Sequence, residues 1–276
     1  MTDPPKPARP IGTQEEARGL RKQEHKQSRK SFGEAGLSPK SKSDGLPESG
    51  GKKRSVYETY EEDSPVAIEF RRAYAKLSYF MKQENKRCFL VSSAMAGEGK
   101  STAASLMAVT IARYRNTKTL LVDADLRRPR VHEFFELPAK HGLADALLGE
   151  AEIIETVKDT RFENLKVITC GKHVSSPTGL LQADRIANLL SELKFYFDTV
   201  ILDTTPILPV SDAALIAAEV DGVILVVMAG VTQREVVQRA LAILKDSRVD
   251  VVGTLVNNAS QVLPYYYSYH YYDYKY

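Results

Sequence analysis

The chain has 276 residues, 43% of them hydrophobic and 26% charged, with a formal net charge of +3, a composition that fits a globular protein with added polar sequence. The charge is uneven: residues 1–55 hold thirteen Lys or Arg against seven Asp or Glu, a net +6, so the remainder carries −3 and the excess base belongs to the tail. No apolar run approaches the roughly 20 residues of a membrane span, and the N-terminus lacks the hydrophobic stretch of a signal peptide.

Cys88 and Cys170 both sit in strand-like apolar surroundings, which fits reduced thiols better than a disulfide framework. These features together predict a cytoplasmic protein.

Residues 1–55 are rich in Pro, Gly, Ser, Lys and Gln and bury too little to offset the entropy of ordering, so they are expected to be disordered. The basic stretch from Arg18 to Lys30 has the charge to touch anionic lipid or nucleic acid; it is read as a solvated tail, and no nucleic-acid partner is expected. From Ser64 and Pro65 a helix is predicted, with Val66, Phe70, Ala73, Leu77 and Phe80 on its apolar face.

Residues 88–91 form a short apolar run suited to a buried strand, and Ala103, Leu106, Met107, Thr110 and Ile111 recur at helical spacing. Between them lie Ala94-Met95-Ala96-Gly97-Glu98-Gly99-Lys100-Ser101-Thr102, a fit to the phosphate-binding loop pattern in its strand-to-helix setting. Glycines 97 and 99 let several N–H groups converge on phosphate oxygens at a helix N-terminus. Lys100 is placed to reach the β- and γ-phosphates, and the Ser101 hydroxyl to ligate Mg²⁺. Ala96, Gly97, Glu98, Gly99, Lys100, Ser101 and Thr102 are therefore the expected nucleotide-binding residues.

A second strand over 119–122 ends in Asp123-Ala124-Asp125-Leu126-Arg127-Arg128-Pro129. In open α/β sheets ligands bind at the carboxyl ends of strands, so both acids belong near the nucleotide, unless they only cap the helix that follows. Short helices are expected over 142–149 and 151–157, a buried strand over 165–169 and a helix over 182–195. A strand over 199–202 then closes on Asp203, a third acid at a strand end. A helix (212–219), a strand (222–228), a helix (233–245) and a strand (251–256) follow, the last ending in Asn257, which joins the expected nucleotide-binding set. This alternation predicts a three-layer α/β fold with a mainly parallel sheet, in one domain over residues 56–262.

The last segment, 263–276, holds eight of the fourteen tyrosines: Tyr265, Tyr266, Tyr267, Tyr269, Tyr271, Tyr272, Tyr274 and Tyr276. Neither alternating nor helically spaced, they match no buried face and read as a flexible displayed segment. Phosphoryl transfer is mostly positioning and charge neutralisation, and the Lys-Ser pair with three acids supplies both. One of Asp123 and Asp125 is suited to hold Mg²⁺ through water, the other to accept a proton. A tyrosine hydroxyl, with a pKa near 10, needs such an acceptor to attack phosphorus.

With these residues in place, the sequence resembles the bacterial tyrosine kinases of capsule and exopolysaccharide biosynthesis. Residues 94–101 match the Walker A loop, 120–127 the A′ motif, 200–203 Walker B, and the tyrosine cluster completes the pattern. The resemblance implies a P-loop ATPase fold and ATP·Mg²⁺ held by Lys100 and Ser101. It further implies Asp123 as base, with Asp125 and Asp203 organising Mg²⁺. Autophosphorylation of the tail tyrosines in trans within a ring is implied too, as are a separate membrane adaptor of the polysaccharide co-polymerase type and sugar-nucleotide enzymes as further substrates.

Two departures stand out. The family's Glu-x-x-Arg-x-x-Arg pattern becomes Glu69, Arg72 and Ala75, and a Thr-Pro-Pro after Walker B becomes Thr204-Thr205-Pro206. A partitioning ATPase of the ParA and MinD type is the alternative; such proteins carry an extra lysine early in the loop, where this chain has Ala94-Met95-Ala96. A third reading is a scaffold whose tyrosines bind partners.

Overall fold

Strand residues alternate between two cores, as the two-residue period of a strand buried on both faces requires. In β1 (Cys88–Ser93), Phe89 and Val91 enter one apolar cluster while Cys88 and Leu90 enter the other. In β2 (Thr119–Asp123), Leu121 goes to the first and Leu120 and Val122 to the second. The computed structural model describes residues 55–262; the basic stretch from Arg18 to Lys30 and the tyrosine cluster lie outside the described residues.

The remaining strands are β3 (Val157–Asp159), β4 (Leu165–Ile168), β5 (Thr199–Asp203), β6 (Gly222–Met228) and β7 (Val251–Asn257), arranged β3-β4-β2-β5-β1-β6-β7. Every pairing is parallel except β3 with β4. One face is covered by α1 (Val56–Thr59), α2 (Pro65–Gln83) and α3 (Lys100–Arg115). The short α4 (Val131–Phe134) adds Val131 to that cluster. The other face is covered by α5 (Leu143–Leu147), α6 (Ala183–Tyr196), α7 (Asp212–Ala217) and α8 (Arg234–Asp246). A final turn, α9 (Ala259–Val262), follows β7. This is the three-layer, mainly parallel architecture expected. At the start of the central strands, Asp221 accepts hydrogen bonds from the main-chain N–H groups of Arg87 and Cys88, both at 2.8 Å.

Two expectations are corrected. Residues 151–157 form no second α-helix; a 3₁₀ turn (Ile153–Thr156) leads straight into β3, which pairs antiparallel with β4. Helix α2 starts as predicted, with Ser64 Oγ accepting from Ala67 N (3.2 Å) and Pro65 in the first turn. Its inward face keeps Leu77, with Phe70 and Ala73 packed against the core as expected, but it also takes in Ala67 and Tyr74, while Val66 is 47% exposed. No element was expected over 56–59, where α1 precedes α2 and docks Tyr57 against Phe162 with ring centroids 5.2 Å apart.

Among the described residues no helix is long and apolar enough to cross a membrane. Both cysteines are free and buried. Burial pushes both thiols up, Cys170 to about 12, which fits structural rather than reactive thiols.

Candidate active site

The phosphate loop leaves the carboxyl end of β1 and enters α3. Gly97 (φ 87°) and Gly99 (φ 91°) adopt the left-handed conformation that the turn demands. A Cβ on Gly99 would lie 2.2 Å from Asn257 Nδ2, so that amide would have to move aside. That amide donates to the Glu98 carbonyl (3.0 Å), bracing the loop from the end of β7.

The Glu98 side chain is buried and works inside the loop, accepting from Met95 N (2.8 Å) and from the Thr232 hydroxyl. Ala96, Gly97 and Thr102 are exposed, whereas Ser101 is buried at the start of the helix.

Strands β2 and β5 are neighbours, and their register sets Asp123 opposite Asp203. Lys100 Nζ donates to Asp125 Oδ2 (2.8 Å) and to Ser101 Oγ (3.3 Å). Burial works against the Lys100 charge, but the carboxylates of Asp203, Asp125 and Asp123 outweigh it and hold the pKa above its usual value. Asp125 Oδ1 accepts from Arg128 N (2.9 Å). Asp123 Oδ2 accepts from Arg130 N (3.1 Å) and Val131 N (3.0 Å), so this acid does serve the start of α4 as well as facing the site.

The other oxygen of Asp123, and both oxygens of Asp203, are buried with no hydrogen-bond partner among the described residues. Buried carboxylate oxygens left unmatched are costly and call for a ligand. Burial pushes Asp203 up to about 6, against the Lys100 charge and the nearby Ser101 hydroxyl. Burial and the neighbouring Asp203 hold Asp123 well above the usual carboxylate range, against the two N–H groups it accepts from.

No three His, Cys, Asp or Glu side chains among the described residues form a ready-made metal cage. Mg²⁺ rarely uses one, being held by one or two carboxylates together with substrate phosphates and water. The two unmatched oxygens of Asp203, beside the Ser101 hydroxyl, fit that mode. A groove of about 1470 Å³ lies on the other flank of the loop, lined by Gly99, Thr102, Leu106, Phe70, Val256 and Asn257. None of the three acids lines it, so the phosphate chemistry belongs to the strand ends and not to the groove.

The structure thus gathers Lys100, Ser101, Asp123, Asp125 and Asp203 at one sheet edge, with Asn257 against the loop. Sequence reasoning missed Thr232. No local pattern marks it, since Thr232 meets Glu98 from 134 residues away.

Residues 77–248 match the family model described as an AAA domain. The chain is 32% identical to tyrosine-protein kinase YwqD of Bacillus subtilis, over 74% of this chain and 86% of that protein. It is 36% identical to tyrosine-protein kinase CpsD of Streptococcus agalactiae, over 66% of this chain and 78% of that one.

Among solved structures, the kinase domain of Escherichia coli tyrosine kinase ETK superposes with a TM-score of 0.66 at 31% identity, over 74% of this chain and 80% of that one. The chimerical protein CapA2B2 gives 0.68 at 29% identity, over 72% of this chain and 87% of that one. The cell division ATPase MinD of Pyrococcus furiosus shares the fold, with a TM-score of 0.54 at 23% identity. With the loop, the strand-end acids and these relatives together, the chain belongs to the bacterial tyrosine-protein kinases, nucleotide-binding enzymes built on the P-loop fold.

Proposed function

We propose that this kinase transfers the γ-phosphoryl group of ATP to its own C-terminal tyrosines, Tyr265 to Tyr276. The observation that carries the reading is the set of unmatched buried carboxylate oxygens on Asp123 and Asp203 beside Lys100. The catalytic domain spans residues 56–262, flanked by the two tails.

Ala96, Gly97, Glu98, Gly99, Thr102 and Asn257 form or brace the cradle for the nucleotide, with main-chain N–H groups turned to phosphate. Lys100 neutralises charge on the β- and γ-phosphates. Ser101, Asp125 and Asp203 are the residues to hold Mg²⁺, whose role is to neutralise charge that develops during transfer. Asp123 accepts the tyrosine proton as the new O–P bond forms. Burial and the neighbouring Asp203 raise its pKa, which makes this carboxylate a stronger base than a free one. Asp123 Oδ2 stays engaged with Arg130 N and Val131 N, leaving Oδ1 for the proton.

The transfer runs in trans between copies in a ring, and the chain is recruited to the inner face of the plasma membrane by a separate co-polymerase adaptor. There it regulates capsule or exopolysaccharide synthesis, with sugar-nucleotide enzymes as further substrates. These points follow from the family resemblance, as does a cytoplasmic location.

Incubation of the full chain with adaptor segment and Mg·ATP should yield phosphotyrosine in the C-terminal peptide by mass spectrometry. Lys100→Met should lose it by about 10²-fold or more, the scale for removing one oriented charge or donor. Phosphotyrosine that persists after deletion of residues 265–276 would overturn the acceptor assignment. Nucleotide hydrolysis without any phosphotyrosine would favour the ATPase switch.

A further inference from the structure

Arg127, two residues after Asp125, does not bond to the acids of the site. Its Nε donates to Asp212 Oδ2 (2.6 Å), and its Nη2 to Asp212 Oδ1 (3.2 Å) and Thr178 Oγ1 (2.8 Å). Thr178 Oγ1 in turn donates to Asp212 Oδ1 (2.7 Å), closing a ring of three side chains. The Asp212 side chain is only 2% exposed and that of Arg127 37%, so the guanidinium covers a buried carboxylate.

The three residues come from the crossovers of three adjacent strands. Thr178 sits in a 3₁₀ turn (Pro177–Gly179) in the connection after β4, and Arg127 in the loop after β2. Asp212 opens α7, at the far end of the loop that Asp203 begins after β5. The ring therefore ties the loop carrying Asp125 to the loop that leaves β5 at Asp203. The anchoring is close, because Arg128 N, one peptide beyond Arg127, donates to Asp125 Oδ1 at 2.9 Å. Behind it, Ala124 N donates to the Asp203 carbonyl at 2.8 Å. Two loops held at both ends cannot drift apart when a cation is drawn between their carboxylates.

We propose that Arg127, Asp212 and Thr178 are positioning residues, a clamp that sets the separation of Asp125 and Asp203 and so the affinity of the site for its divalent cation. This rests on the reading of those two acids as Mg²⁺-organising. The fork geometry matters as well as the charge: a guanidinium spans both oxygens of Asp212 and still reaches Thr178, whereas an ammonium is a point charge on a flexible stem.

The test uses the full chain with a fluorescent ATP analogue, titrated with MgCl₂, alongside thermal melting. In Arg127→Lys the Mg²⁺ concentration for half-maximal nucleotide binding should rise about ten-fold or more, the usual scale for residues that orient metal ligands. Thr178→Val, which keeps shape and charge, should shift it in the same direction by less, and Thr178→Ser should restore it. At saturating Mg²⁺ both the KM for ATP and kcat should return towards the wild-type values.

A Mg²⁺ requirement within about two-fold of wild type in the folded variants, even with a lowered melting temperature, would overturn the proposal and leave the ring a purely structural tie. If Arg127→Lys does not fold, Thr178→Val carries the same threshold. Wild-type binding that ignores Mg²⁺ would sink the metal assignment and the clamp together. Mg²⁺-dependent binding without phosphotyrosine would sink only the acceptor reading.

Discussion

In the loop at residues 94–99, the Glu98 carboxylate is buried but takes Met95 N and the Thr232 hydroxyl, and Asn257 braces its carbonyl. At the ends of β2 and β5, Asp123 keeps one unmatched oxygen and Asp203 two. Both regions are buried and polar. The first is closed on itself and holds its shape before any ligand arrives. The second stores unfavourable charge that a ligand must relieve. Preorganised dipoles aimed at a site cost nothing at the moment of reaction, whereas buried unpaired carboxylates depress stability until they are matched. Substitutions should therefore separate function from stability at the acids and damage both at the loop.

The largest effect expected is at Asp123. Asp123→Asn keeps an acceptor for Arg130 N and Val131 N but removes the base, so tyrosine phosphorylation should fall by about 10²- to 10⁴-fold while nucleotide binding and the melting temperature hold. A variant that phosphorylates normally would remove the proton-accepting role.

Next is Asp203, whose pKa rises from 3.8 to about 6 on folding. Between those values the unfolded chain has released a proton that the folded chain retains, so stability falls as pH rises through that window. With Mg²⁺ removed, the decline from this acid should be on the order of 3 kcal/mol between about pH 4 and pH 6. Asp203→Asn should flatten it, and denaturant midpoints across that range would show whether it does. Wild-type protein whose stability rises over the window would contradict the burial of an unmatched carboxylate there.

The smallest effect lies at the loop. Gly99→Ala imposes a Cβ at φ 91° and 2.2 Å from Asn257 Nδ2, so stability should drop by more than about 1 kcal/mol. Nucleotide affinity should fall with it. An alanine variant as stable as wild type would show that the loop is less closed than Glu98 and Asn257 make it.

The phosphate loop and all three acids were legible in the sequence because each follows an apolar strand, and the strand-to-helix setting dictates which edge they occupy. The uninterrupted apolar runs of β1, β2 and β5 pointed to burial on both faces. What sequence could not carry was anything built by partners far along the chain. Strand β3 is three residues, Val157-Lys158-Asp159, too short for any period, and exists because β4 lies alongside it. The inward face of α2 also takes in Ala67 and Tyr74 because the shape of the neighbouring core, not the count of apolar side chains, decides which residues face inward. The ring of Arg127, Thr178 and Asp212 joins residues 51 and 85 positions apart, and nothing near Arg127 in the sequence marks either partner.

Asp221 has a bearing on the phosphate loop although it sits at the opposite end of the sheet. By gripping Arg87 N and Cys88 N, its carboxylate gives β1 a fixed zero mark beside β6. Six residues later the strand delivers the first residue of the loop, so the loop's height above the sheet is measured from that mark. A slip of one residue would exchange the two faces of β1, sending Phe89 where Leu90 belongs and carrying the lysine of the loop out of step with the acids of the next strands. The nucleotide site is thus gauged from the far edge of the sheet, by a carboxylate that never meets the substrate.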